Sequence, residues 1–87
     1  MDVKALNHDL IPVILQEIDT QLSRGVLPVH SGHLEHLLEE GGVIDYLLLM
    51  KRSGLIGGDL VTRGANNAPY RVTNIRLTYV GIKALRG

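Results

Sequence analysis

The chain has no cysteine, tryptophan or phenylalanine among its 87 residues. Without cysteine it can form neither a disulfide nor a thiolate metal site, which suits a cytoplasmic protein. Its aromatics are Tyr46, Tyr70 and Tyr79 alone. Three scattered rings are too few for the stacking platform that holds single-stranded nucleic acid. Serine occurs only at Ser23, Ser31 and Ser53, each at a predicted turn or cap. No nucleophile–base–acid set can be assembled around them. Gly57-Gly58 is not followed by the Lys-Ser/Thr of a phosphate-cradling loop. The longest apolar run, Tyr46 to Met50, falls far short of the ~20 residues that span a bilayer. Met1-Asp2-Val3-Lys4 does not open a secretory signal. These absences predict a cytoplasmic, non-enzymatic protein with no membrane association, no metal and no cofactor.

What is present fits one domain over residues 1–87. A chain of this length buries about 60–65% of its unfolded surface, enough for one small core. The hydrophobic content of 45% is that of a globular protein. Net charge is zero, yet unevenly spread. Residues 1–42 carry Lys4 and Arg24 against Asp2, Asp9, Glu17, Asp19, Glu35, Glu39 and Glu40, a net of −5. Residues 43–87 carry Lys51, Arg52, Arg63, Arg71, Arg76, Lys83 and Arg86 against Asp45 and Asp59, a net of +5. Two readings stand: the basic half attracts phosphate, or the halves complement each other within the fold or across a dimer.

Ile11, Ile14, Leu15, Ile18 and Leu22 recur at helical spacing and predict an amphipathic helix over 9–23, capped by Asp9 and stopped by Gly25. Val26–Val29 reads as extended, with Pro28 confining it to an edge. Ser31 is the expected cap of a second helix, Gly32 to Glu40, broken by Gly41-Gly42. A third helix runs from Val43 to about Ser53, with Gly54 as its stop. Leu55–Thr62 and Tyr70–Leu77 flank the turn chemistry of residues 63–69 and predict a hairpin. Thr78 is the expected cap of a last helix, Tyr79 to Arg86. Gly81 inside it predicts a close approach to a neighbouring element. The order is helix, short strand, helix, helix, hairpin, helix: an α+β winged helix-turn-helix, with the hairpin as its wing.

Four short motifs carry a family resemblance. They are Asp9-Leu10-Ile11, Ile44-Asp45-Tyr46-Leu47, Gly54-Leu55-Ile56 and Arg76-Leu77-Thr78-Tyr79-Val80-Gly81. Over residues 9–86 the chain resembles an uncharacterised winged-helix family of bacteria and their phages. The resemblance implies a winged-helix fold and a phage or prophage origin, and it brings no catalytic residues. Members often carry histidine after the tyrosine of the third helix and an aromatic in the last helix. Here those regions hold Leu47 and Ala84-Leu85.

Two candidate surfaces follow. On the wing, Arg63, Arg71 and Arg76 flank a tip with Asn66 and Asn67, a set able to lie along a DNA backbone or minor groove. The same arginines also suit a solvated, edge-blunting strand face. On the third helix, Val43, Leu47 and Met50 are expected inward, Ile44, Asp45, Leu48, Lys51 and Arg52 outward, and Tyr46 and Leu49 at the borders. That outer face is poor in base-reading side chains and rich in aliphatic ones. It predicts a protein interface or homodimer contact through Ile44, Asp45, Leu48, Leu49 and Arg52; with another helix phase the same residues read as core, and DNA readout by this face is a third reading. His30, His33 and His36 are spaced by three, which fans neighbours about 60° apart on a helix and does not gather them round a metal.

Overall fold

The computed structural model describes residues 6–38, 42–63 and 68–87, apart from the side chains of Arg63 and Ala68. The first helix, α1, spans Leu10–Ser23 and buries Ile14, Leu15 and Ile18. Ile11 and Leu22 pack against the same core half-buried. Asp9 makes no side-chain cap; its backbone is already helical. The capping acceptor is instead the Asn7 carboxamide oxygen, which takes the Asp9 N–H at 3.0 Å. Once Asp9 adopts helical angles, its short carboxylate cannot turn back to the first N–H groups. Asn7, still outside the helix, can. At the other end Gly25 has φ +83. Its N–H reaches Leu22 O and the Val26 N–H reaches Gln21 O, both at 3.0 Å, the paired bonds of a Schellman stop.

Over Gly32 to Leu38 the expected second helix is not an α-helix; its last residues, Glu39 and Glu40, and the Gly41 of its break lie outside the described residues. Ser31–His33 and Glu35–Leu37 form two 3₁₀ turns, and Leu38 is extended. Ser31 and Leu34 are buried, and Leu37 packs half-buried on the core. These three positions repeat every third residue, the period at which a 3₁₀ turn aligns side chains. The Ser31 side chain does not cap the segment. It points inward, where Oγ accepts the buried Val72 N–H at 3.2 Å. Capping falls to His30 Nδ1, which accepts from Gly32 N–H at 3.0 Å, while His33 Nδ1 accepts from His30 N–H at 3.1 Å.

The second α-helix, α2, spans Val43–Arg52 and buries Val43, Tyr46, Leu47 and Met50. It ends as α1 does. Gly54, at φ +79, sends its N–H to Lys51 O, and Leu55 N–H goes to Met50 O. Tyr46 is inward rather than at the border. It is 8% exposed, and its hydroxyl accepts the Asn7 N–H at 2.8 Å, tying α2 to the start of α1.

Strands β1, Ile56–Arg63, and β2, Ala68–Leu77, form a two-stranded antiparallel hairpin. Val29 bridges the far side of β2: the Ile75 N–H donates to Val29 O at 2.9 Å. The ladder slips between Gly57 and Asp59, where β2 carries an extra residue and Asn74 takes φ +52. On a regular strand Val72 and Ile75 would face opposite sides. The bulge resets the alternation, so both are buried. Asn74 tolerates the left-handed backbone and its Nδ2 donates to Asp59 Oδ2 at 2.8 Å across the bulge.

The last helix, α3, spans Tyr79–Arg86. Thr78 caps it as expected: Oγ1 accepts from Gly81 N–H at 3.0 Å. The same hydroxyl lies against the carbonyl oxygens of Gly54 and Leu55, the acceptors for its single proton. One threonine therefore fastens the start of α3 to the α2–β1 junction. The core joins α1, Val29, Leu34, α2, Ile56, Val72 and Ile75 in one cluster. Among the described residues, no helix is long and apolar enough to cross a membrane.

Candidate interface surfaces

Two of the hairpin arginines, Arg71 and Arg76, stand on β2, five positions apart. Arg71 pairs with Val61 in the ladder, and its exposed side chain borders a small cleft with Ser31, Gly32, Glu35 and Tyr70. Arg76 pairs with Gly57, and its guanidinium lies across that glycine. A Cβ at Gly57 would stand 2.9 Å from Arg76 Cζ. Arg76 Nη1 donates to Asn74 O at 3.3 Å. With the bulge between them, their ladder partners Val61 and Gly57 are four residues apart, which puts the two arginines roughly 13 Å apart along the strand. Arg63 closes β1 opposite Ala68. Its side chain, with Asn66 and Asn67, lies outside the described residues.

Among the described residues, charge complementarity does not involve Arg71 or Arg76. Among the described residues the one ion-pair contact is His36 Nε2 to Glu17 Oε2, at 3.8 Å. No described lysine or arginine lies within 4.0 Å of a described carboxylate. The −5 and +5 halves therefore do not annul each other through contacts among these residues, and Lys51, Arg52, Arg71, Arg76, Lys83 and Arg86 are exposed.

On α2 the expected outer face is only partly outward. Ile44 is half-buried and packs against the core, because the burial of Tyr46 turns the helix toward it. Asp45, Lys51 and Arg52 are exposed. Leu48 and Leu49 are half-buried and stand outside the core cluster. Positions 45, 48, 49 and 52 fall on one stripe of a helix. The candidate contact is therefore Leu48 and Leu49 between Asp45 and Arg52, with Ile44 beneath them.

The histidines behave differently from the helical fan expected of them. Because the segment is 3₁₀, the rings of His30 and His33 come together, 3.8 Å between centroids. Both Nδ1 lone pairs are already accepting backbone N–H groups, which places the ring protons on Nε2. Burial holds the His30 pKa below its ordinary value, with further lowering from His33 and Arg71 and a partial offset from Glu35. His36 lies apart, against Glu17. No group of three or more candidate ligands for a metal occurs among the described residues.

Sequence reasoning missed the inward turn of Ser31, the bulge at Asn74 and a cleft between α1 and α3. Each joins residues distant in the chain, and none leaves a local signature. No protein-family model, curated protein or solved structure matches the chain.

Proposed function

We propose that the chain is a small non-enzymatic regulator that binds DNA through its hairpin, as a winged helix of the phage-borne kind it resembles. The winged-helix reading is supported by the order of α1, the Val29 bridge, the 3₁₀ segment, α2, the hairpin and α3. The observation that carries the DNA reading is the open state of Arg71 and Arg76. Both are exposed on one strand, and neither has a carboxylate partner among the described residues. Arginines about 13 Å apart can reach separate phosphates, and such contacts fix position without reading sequence. Arg63 extends the set toward the tip. The face of α2 carries Asp45, which phosphates repel, and lacks the amide side chains that read base edges.

Binding measured against salt tests this. Three arginines each displacing about one counterion give a log–log slope of about −3. Arg71→Gln or Arg76→Gln should each flatten it by about one unit and weaken all sequences alike. Two results defeat the reading: no binding at low salt, or sequence-specific binding lost on changing Asp45 or Lys51 and kept when the hairpin arginines are changed.

A second reading rests on Leu48 and Leu49, which lie outside the core cluster between two exposed charges. Here α2 is the contact for a second copy of the chain or for a protein partner. Mass measurement by light scattering, with Leu48→Glu as the disrupting variant, separates it from the first.

A further inference from the structure

A cleft of about 380 Å³ lies where α1, the end of β2 and α3 meet. Its apolar part is Leu22, Leu77 and Leu85, each half-buried against the core, with the exposed Ile82 beside them. Its polar lining holds charges of both signs: Asp19 from α1, Arg76 from β2 and Arg86 from α3. Among the described residues Asp19 has no ion pair or side-chain hydrogen bond, Arg86 has none, and Arg76 has only the Asn74 carbonyl. The acid and the two cations thus share one cleft without closing on each other; their N···O separations exceed the 4.0 Å of an ion pair.

We propose that this cleft binds a small zwitterion with an apolar side chain, an aliphatic α-amino acid. Two opposite charges held apart beside an aliphatic floor match such a ligand group by group. The α-ammonium meets Asp19, the carboxylate meets Arg76 and Arg86, and the side chain lies on Leu22, Leu77 and Leu85. A guanidinium suits a planar carboxylate, and the cleft lining offers two of them. The cleft volume falls within the range of small-molecule sites, where a few polar groups orient an apolar body. A simple carboxylate leaves Asp19 unpaired and repelled, and a simple amine does the same to the two arginines. Selectivity for the zwitterion therefore comes from the unpaired group left by each truncated ligand.

Backbone amide shifts of the intact protein, titrated with leucine, 4-methylpentanoate and 3-methylbutylamine, test the assignment. Leucine should give saturable shifts confined to α1, the end of β2 and α3. Each truncated ligand should bind about tenfold more weakly, the loss of roughly one charge-assisted contact. Asp19→Asn should abolish the preference for leucine over 4-methylpentanoate, and Arg86→Gln, which leaves Arg76 in place, should reduce the preference over 3-methylbutylamine. Neither side chain supports the core, so both variants should keep the parent amide spectrum away from the cleft. Equal affinity for all three ligands, no saturation with leucine at tens of millimolar, or preferences unchanged in both variants would overturn the proposal.

Discussion

Gly81 packs directly on the Leu55 carbonyl: a Cβ at Gly81 would stand 2.1 Å from that oxygen. The clash is with backbone, so no side-chain rotation relieves it. Helix α3 can approach the α2–β1 junction because this position has no side chain, and the Thr78 hydroxyl fastens it there. Gly81→Ala should therefore destabilise the protein by roughly 2–4 kcal/mol, despite alanine's better helix propensity. Ala84→Gly on the exposed side of the same helix should cost only about 1 kcal/mol. Urea unfolding of the two variants checks the order. If Gly81→Ala is the milder change, the close approach is not holding α3.

Ser31 and Val72 make the second long-range tether. The Val72 N–H is satisfied by Ser31 Oγ, and both residues are buried. Ser31→Ala leaves that donor unpaired away from water, at a cost of about 1–3 kcal/mol. Ser53→Ala, at the exposed end of α2, should change stability by no more than about 0.5 kcal/mol. Faster hydrogen exchange at Val72 in Ser31→Ala, without general loosening of the core, would identify the lost bond itself.

His30 makes stability depend on pH in a defined direction. Its folded pKa lies below the ordinary value of 6.5, through burial first and then the neighbouring His33 and Arg71. The unfolded chain therefore takes up this proton more readily than the folded one. The stability contribution is fully present above pH 6.5. It is lost as pH falls through 6.5 toward the folded pKa, where the loss levels off. Protonation at Nδ1 also removes the acceptor for the Gly32 N–H. His30→Asn supplies a capping oxygen that does not titrate. Unfolding midpoints at pH 7.5, 6.5 and 5.5 should fall less steeply in His30→Asn than in the parent. Parallel curves would show that His30 is not the responsible group.

What could be read in the sequence was what chemistry fixes locally. Gly25 and Gly54 stop their helices because the left-handed turn is built from neighbouring residues. Thr78 and Gly81 announced a cap and a close approach within four positions. The segment after Ser31 misled because Ser31, Leu34 and Leu37 fit a period of three as well as a period of 3.6 over so few residues. The histidine caps and the Val72 donor decided between them. The bulge at Asn74 was hidden for a different reason: the alternation of Val72 and Ile75 looks broken until the partner strand is seen. The candidate cleft joins Asp19, Arg76 and Arg86, residues that each read alone as ordinary solvated charge.

Leu47 and Leu48 are adjacent on α2 and have different surroundings. Leu47 is fully buried, whereas Leu48 is half-buried and outside the core cluster. Leu47→Ala should cost about 2–5 kcal/mol, the loss of a core side chain plus the cavity it leaves. Leu48→Glu should cost much less, because the new carboxylate can reach water between Asp45 and Arg52. If α2 is a contact between copies, that same mild variant should abolish self-association, since each charge would meet its own image across a two-fold interface. Light scattering over a concentration series, read beside the unfolding curves, distinguishes the outcomes. A parent that stays monomeric at hundreds of micromolar rules out the self-contact. A Leu48→Glu variant as destabilised as Leu47→Ala shows that Leu48 belongs to the core, and the α2 reading then fails with it.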